Sequence, residues 1–525
     1  MATPADQEVV NREERPGRPP ARRWLAGAGL NILLAILSGV LAGLAFPPFE
    51  LWPLAWVALV PLLIALRRTS AVRFAGYLAL LFGLSFCATA LPWMTAIFGP
   101  LVVGIFVLAS LPWLLFGLAY RVLSDRSPVW VVVLLAPAFW LAMEWIRCEG
   151  WYFKFSWLQL GFTVVPNSSL SSSFPLIGVY GVTFMIVLVN AVIALLIIKR
   201  DWRVPLAAAC LLLVLLAIPW IADRQYNPPA QVSRPRGEFA REHIRYPTAV
   251  IVQDERGGLE TLRALTERAL AGIDAQPLLV VWPEYALPMY LLEDTYARRD
   301  LKTLQAFVRK NNCTLVLGTK KHAPSDAPCD WLRRRSMTAG GDGLFYNIAL
   351  VIGPDGQVLG DYAKTHPIQF FSDGVPGRSY QRIDTPAGRL GIAICYDFDY
   401  AHTALNLVRN GAEVLVVPTF DAVEWGETQH RQHTRMAQAR TAEVGLYTIR
   451  VTSSGISQVL DPTGQPLASI PFGDSAAASE NFFSLAACTS YVRFMWLLPY
   501  LCLGIGLLWA LSLIIRRVFR RAPSV

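Results

Sequence analysis

The sequence predicts a membrane-embedded bundle of eight apolar helices carrying one large water-soluble α/β domain between its seventh and eighth spans. Three observations predict it. The 525 residues are 54% hydrophobic and 16% charged, with a mean hydropathy of +0.40, which is more apolar material than one globular core takes up. Eight runs approach or reach the roughly 20 residues that cross about 30 Å of hydrocarbon as a helix. Between residues 245 and 490 the pattern changes to short β-rich runs alternating with amphipathic ones, as in a layered α/β fold.

Residues 1–23 are polar and rich in Pro and Arg, and the apolar run behind them is too long for a cleavable signal core, so they read as a cytoplasmic tail. Seven spans fall at 24–46, 51–66, 76–96, 99–122, 128–146, 175–198 and 204–222, and the eighth at 493–516. The second is short and interrupted by Pro53 and Pro61. Basic residues mark every second loop: Arg12 to Arg23, then Arg67, Arg68 and Arg73, then Arg121 and Arg126, then Lys199, Arg200 and Arg203, and finally Arg516, Arg517, Arg520 and Arg521. This alternation predicts two cytoplasmic termini, the second being the tail 517–525. It places segment 223–492 on the opposite face, the periplasm of a bacterial inner-membrane protein. Arg147 and Lys154, after the fifth span, depart from the alternation. The same clustering accounts for the formal charge of +9 without a nucleic-acid partner. Eight irregularly spaced cysteines with no Cys-x-x-Cys pair give neither a zinc ribbon nor a disulfide framework.

Within the insert, strands are predicted at 248–253, 278–282, 314–318, 347–352, 390–395, 414–418 and 447–452, and helices at 259–273, 301–310, 401–409 and 428–444. The last helix is too poor in apolar residues for more than one buried face. Pro-Asp-Gly at 354–356 and Pro-Thr-Gly at 462–464 mark turns between strands.

Three motifs carry candidate chemistry. Val280-Val281-Trp282-Pro283-Glu284 is an apolar strand ending in a carboxylate, where a general base can sit at a sheet mouth. Taken singly, such a Glu is more often a solvated charge. Tyr362-Ala363-Lys364-Thr365-His366 follows a strand-turn-strand unit, and an ammonium there suits a thiolate or a developing oxyanion. Gly391 to Asp397 is an apolar strand delivering Cys395 to a strand-to-helix turn, where backbone N–H groups and the helix dipole lower a thiol pKa. His430 and His433 stand three apart on a helix but have no third metal ligand at suitable spacing, so no metal site is expected.

The ordered set Trp-Pro-Glu, then Lys after a Pro-Asp-Gly hairpin, then Cys-Tyr-Asp resembles the nitrilase, or carbon-nitrogen hydrolase, superfamily. Tyr346-Asn347, Gly353 to Gly356 and Ser453-Ser454-Gly455-Ile456-Ser457 extend the likeness. Placement between two membrane spans narrows it to the apolipoprotein N-acyltransferase family. The resemblance implies an α-β-β-α sandwich for 223–492 and a Glu284-Lys364-Cys395 triad acting by ping-pong acyl transfer. Cys395 would take an acyl chain from a phospholipid donor as a thioester and pass it to the free amine of a diacylated apolipoprotein, with no metal or organic cofactor. Apolar residues at the base of the domain would form an entrance from the bilayer.

Three departures from the family pattern bear on the acceptor side. His366-Pro367-Ile368-Gln369-Phe370-Phe371-Ser372-Asp373 carries Ser372 where the family places a Glu, with Asp373 as the substitute carboxylate one residue on. Asp397 replaces a Glu after Cys-Tyr, and no Trp follows Gln253. By the same resemblance Tyr396, Asp397, Asp373, Trp425 and Glu424 are expected in the substrate pocket. Beside N-acylation stand two other readings: a membrane-tethered amidase or acyltransferase with a different acceptor, and a catalytically silent lipid-binding or assembly protein.

Overall fold

The computed structural model describes residues 21–198 and 247–519 apart from 274–276, 296, 331–333, 335–336, 338–342, 370 and 487–488, with isolated positions 213, 217 and 221. Most of the N-terminal tail, nearly all of the seventh predicted span and the last residues of the chain lie outside the described residues.

Six helices among the described residues are long and apolar enough to cross a membrane: Gly27–Leu44, Val72–Ala90, Met94–Arg126, Val129–Gly150, Phe174–Ile198 and Met495–Arg516. The expected second span is not one of them. Trp52–Trp56 forms a 3-10 turn and Val60–Arg68 a nine-residue helix, each with proline in its first turn. Proline is accepted where helical N–H groups have no intrahelical acceptor and is costly further in, so Pro53 and Pro61 start two short pieces rather than interrupting one long helix. The bundle packs through small residues and an aromatic core. A Cβ on Gly117 would collide with Ala75 and Ala79, and Phe82, Trp113, Phe116 and Trp140 meet at ring distances of 5.0 to 6.4 Å. Leu33, Leu101, Val103, Leu507 and Leu508 are exposed, the surface that lipid would cover.

The α/β domain has two six-stranded sheets. The first runs β12-β1-β2-β3-β4-β5, from β1 (Thr248–Gln253), β2 (Leu278–Val281), β3 (Cys313–His322), β4 (Phe345–Ile352), β5 (Val358–Ala363) and β12 (Ala476–Asn481). The second runs β11-β10-β9-β8-β7-β6, from β6 (Arg382–Thr385), β7 (Gly388–Ile392), β8 (Val414–Thr419), β9 (Thr448–Thr452), β10 (Ser457–Leu460) and β11 (Pro466–Ile470). In each sheet three central strands are parallel, β1-β2-β3 and β7-β8-β9, and antiparallel strands flank them.

Alternation along the strands builds the layers. Ala249, Ile251, Leu279, Val281 and Val316 of the first sheet share a core with Leu390, Ile392, Val414, Val416 and Ile449 of the second. Their neighbours Val250, Val252, Val280 and Leu315 pack outward with Leu262, Leu304, Phe307 and Val308 of helices Gly258–Leu270 and Arg298–Asn311. Ala393, Leu415 and Val417 pack with Ala404 and Ala437 of helices Ala401–Arg409 and Glu427–Val444. The result is the expected α-β-β-α sandwich.

Helix Glu427–Val444 departs from the sequence expectation: it is buried on most of its circumference despite its polarity. Its long polar side chains Gln432, Arg440 and Glu443 are paired, which offsets the cost of burying them. Gln432 Nε2 donates to the carbonyls of Pro47 and Ala90 at 2.8 and 2.7 Å. Arg440 Nη1 pairs with Glu443 Oε2 at 2.6 Å, and Glu443 Oε1 accepts from Val179 N–H at 2.7 Å. This helix joins the membrane bundle to the second sheet.

Candidate active site

Three strand ends deliver the motif residues to one place. Glu284 follows β2 across Pro283, and Trp282 anchors that strand end by donating its indole N–H to Thr266 Oγ1 at 3.0 Å. Gly318 N–H donates to the Pro283 carbonyl at 3.0 Å, and a Cβ on Gly318 would lie 2.5 Å from Glu284 Cα, so only glycine lets the two strands come this close. Lys364 follows β5, its N–H held by the Asn347 carbonyl at 2.9 Å. Cys395 begins a five-residue 3-10 turn after β7 with φ 49°, a left-handed conformation that lifts its side chain away from the strand.

Asp397 fixes that turn. Fully buried, it accepts from Ile394 N–H at 3.1 Å, His366 N–H at 2.6 Å, Thr365 Oγ1 at 2.9 Å and Tyr362 OH at 3.0 Å. Burial alone would push its carboxyl pKa up, but the pairing with His366 and the other donors holds it below the ordinary value. Asp397 therefore ties the cysteine turn to the segment after Lys364 and is a brace behind the site.

Lys364 Nζ lies 2.8 Å from Glu284 Oε1 and 2.8 Å from Asp373 Oδ2, all three groups buried. Asn347 Nδ2 donates to Glu284 Oε1 at 2.6 Å and to Asp373 Oδ1 at 3.0 Å, and Tyr285 OH donates to Asp373 Oδ1 at 2.9 Å. Burial acts to lower the lysine pKa, but Asp373 and Glu284 more than offset it and the ammonium is held well above its usual value. Burial raises the Glu284 pKa against the opposing pull of Lys364. The Cys395 thiol is also raised well above its ordinary value, by burial first and the Glu284 charge second. This reverses the expectation of a thiol lowered by a helix dipole: the turn is a short 3-10 segment, and desolvation outweighs the Lys364 charge. Cys395 and Glu284 meet through Phe420, whose carbonyl accepts from Sγ at 3.7 Å and whose N–H donates to Glu284 Oε2 at 2.7 Å.

Cys395 lines a cavity of about 520 Å³ that reaches into the membrane bundle. Ile97, Leu101, Ile105, Leu108 and Ala109 form its apolar end. Trp157 and Lys154, from the loop after the fifth span, and Ile368 and Phe371, from the segment after Lys364, form its sides. Opposite stand Asp399, Asp421 and His433. His433 bridges the two carboxylates, Nδ1 to Asp421 Oδ1 at 2.8 Å and Nε2 to Asp399 Oδ1 at 3.1 Å. Trp157 Nε1 donates to Asp399 Oδ2 at 3.0 Å.

Of the residues singled out from sequence, Glu284, Lys364, Asp373 and Cys395 come together, and Tyr396 and Trp425 line the cavity. Glu424 does not. Its side chain is 76% exposed and faces Arg256 at 3.9 Å, because the 3-10 turn Val423–Trp425 turns it away from its neighbour Trp425. Phe420, Asp399, Asp421 and His433 were not expected. Phe420 acts through its backbone, which leaves no signal in side-chain chemistry. His433 was weighed as a metal ligand, and its two carboxylate partners lie 12 and 34 positions away.

Residues 38–192 match the apolipoprotein N-acyltransferase N-terminal domain, and residues 244–490 match the carbon-nitrogen hydrolase domain. Among curated relatives, apolipoprotein N-acyltransferase of Azotobacter vinelandii is 29% identical over 96% of this chain and 98% of its own length. Those of Geobacter metallireducens and Photobacterium profundum are 28% and 26% identical, over 83% and 94% of this chain and 86% and 96% of theirs. A carbon-nitrogen hydrolase crystal structure from Helicobacter pylori overlays 49% of this chain and 92% of its own, at 19% identity and a TM-score of 0.37. With both domains in the same order and relatives matched nearly end to end, the chain belongs to the apolipoprotein N-acyltransferase family, a membrane-embedded branch of the carbon-nitrogen hydrolases.

Proposed function

We propose that this multi-pass membrane protein transfers an acyl chain from a phospholipid, through a thioester on Cys395, to the N-terminal amine of a diacylglyceryl-cysteine on apolipoproteins. The observation that carries the reading is that one cavity is lined both by Cys395 and by Ile97, Leu101, Ile105 and Leu108 of the membrane bundle. A water-soluble amide needs no such chamber; an acyl chain does.

The thiol proton passes to the Glu284 carboxylate as Sγ attacks the sn-1 ester carbonyl, and Lys364 stabilises the oxyanion. Collapse breaks the ester C–O bond, and the proton on Glu284 goes to the departing glycerol oxygen, giving a lysophospholipid and the thioester. The acceptor amine then attacks the thioester, gives its proton to Glu284 and expels the thiolate, which recovers that proton. A buried Glu with a raised pKa suits this alternation, because burial disfavours its anion and so favours proton uptake. A thiol held protonated at rest suits it too, since the proton leaves only when an electrophile is present.

The different-acceptor reading rested on Ser372 and on the missing Trp after Gln253, and the structure bears on the first. Asp373 supplies a carboxylate to Lys364 from the next position, which supports the family's own chemistry. We place the α/β domain on the periplasmic face of the inner membrane, and a topology reporter fused at residue 240 tests that placement. The function is tested with enzyme charged by a fluorescent phospholipid and freed of excess donor. A diacylated lipopeptide with a free N-terminal amine discharges it and gains the label in an amide bond, whereas the N-acetylated lipopeptide does not. Equal discharge by water or by both peptides overturns the reading.

A further inference from the structure

Glu149, His402, His366 and Asp397 form a continuous row from the membrane bundle to the cysteine turn. Glu149 lies in the π turn Ile146–Gly150 that closes the helix beginning at Val129. Its Oε2 is 2.9 Å from His402 Nδ1, and its Oε1 accepts from Tyr180 OH at 3.0 Å and from Ala401 N–H, the start of helix Ala401–Arg409, at 3.3 Å. His402 Nε2 is 3.0 Å from His366 Nε2, and His366 Nδ1 is 3.2 Å from Asp397 Oδ1. The Tyr400 ring packs beside both imidazoles, at 4.5 and 5.7 Å.

These contacts set how many protons the two rings hold. An ionised carboxylate only accepts, so each end of the row calls for Nδ1–H. Thr365 Oγ1, 2.9 Å from His366 Nδ1, donates to Asp397 and accepts from the same Nδ1–H. Two ring nitrogens 3.0 Å apart need one proton between them. With none, two lone pairs face each other; with two, two N–H groups do. Three protons on two imidazoles make one positive charge held between two carboxylates. His366 is the ring less able to carry it: burial pushes its pKa down to about 4 although Asp397 pulls it up, while His402 is 30% exposed. Other charges face the row. Lys154 opposes protonation of His366, Arg440 acts on Glu149 from helix Glu427–Val444, Lys364 stands behind Asp397, and Asp330 lines the cavity of about 290 Å³ that His366 also lines.

We propose that His402 and His366 share one extra proton and act as positioning residues, bracing Asp397, and through it the Cys395 turn, from the membrane bundle. The proposal deepens the acyl-transfer reading and rests on it for the nucleophile that is positioned. The shared proton is bound at low pH and lost as pH rises. Without it one carboxylate faces a bare ring nitrogen, the row opens at that contact, and the turn is held less firmly. Acylation therefore falls on the alkaline side for a reason outside the triad.

The test uses the full chain in nanodiscs with isotope-labelled histidine. Solid-state nitrogen NMR at neutral pH should show a coupling between two Nε2 atoms across one proton, lost in His402→Gln. Hydrogen exchange follows the Ile394 and His366 N–H groups that donate to Asp397, and thioester formation from a fluorescent phospholipid is timed in single turnovers across the neutral and alkaline range. His402→Gln, which cannot carry the charge, should speed both exchanges and slow acylation about tenfold, with half-saturation by the donor unchanged. His402→Lys, which keeps a cation between Glu149 and His366, should recover most of that rate and carry it to higher pH. Absence of the coupling overturns the proposal, as do Gln and Lys variants that share one rate and the pH profile of the unmodified protein. Coupling, with faster exchange in His402→Gln but no thioester in the unmodified protein, supports the pair and counts against the acyl-transfer reading alone.

Discussion

Asp373 Oδ2 accepts from Lys364 Nζ at 2.8 Å, placing a carboxylate against the candidate oxyanion-stabilising ammonium from nine residues along the chain. Lys364 is thus held between two carboxylates, and both of its partners share the Asn347 amide.

If Asp373 positions Lys364, Asp373→Asn lowers the rate of thioester formation about 100-fold, the scale of losing one oxyanion donor. Lys364→Arg should not restore it, since a planar guanidinium does not fit the two-carboxylate slot. Stopped-flow acylation with a fluorescent donor, with Tm recorded beside it, checks this. A rate within twofold of the unmodified protein would remove Asp373 from the account.

His433 predicts a pH dependence of stability. Burial lowers its pKa, but Asp421 and Asp399 win and raise it to about 9. A histidine raised from an unfolded value of about 6.5 contributes its full stabilisation below that pH and loses it as pH climbs towards 9. The shift corresponds to about 3 kcal/mol. Thermal unfolding of the detergent-solubilised protein should fall between pH 6.5 and 9, and His433→Asn should flatten that interval. An unchanged slope in the variant contradicts the bridge.

The apolar cavity predicts chain-length selection. Leu108→Trp fills its membrane end, so donors with long acyl chains should lose at least tenfold in acylation rate while short-chain donors keep theirs. Alkylation of Cys395 by iodoacetamide controls for an intact thiol. Equal loss across chain lengths would show that the chain lies elsewhere.

Much of this site is legible in sequence because its reactive groups sit at strand ends, where apolar runs stop at a Glu and a Cys and a strand-turn-strand unit stops at a Lys. The sandwich is legible because short continuous apolar runs mark central strands such as Thr248–Gln253 and Val414–Thr419 that are buried on both faces. What the sequence hides is held by distant partners. Trp157 reaches Asp399 across 242 positions, and β12 pairs with β1 although their residues are more than 220 positions apart. The polar helix Glu427–Val444 reads as half-exposed because nothing local shows that membrane-bundle carbonyls accept from its glutamine. Glu424 and Trp425 are neighbours in sequence, yet a single turn separates a surface charge from a cavity wall.

The most direct test of the account is the mass of the tryptic peptide containing Cys395 after incubation with a phospholipid of defined acyl chains. The account predicts a gain of one acyl group on that peptide, labile to neutral hydroxylamine, lost on addition of diacylated lipopeptide and absent in Cys395→Ala and Glu284→Gln. An acyl group on another residue, or one that persists in Cys395→Ala, would contradict it.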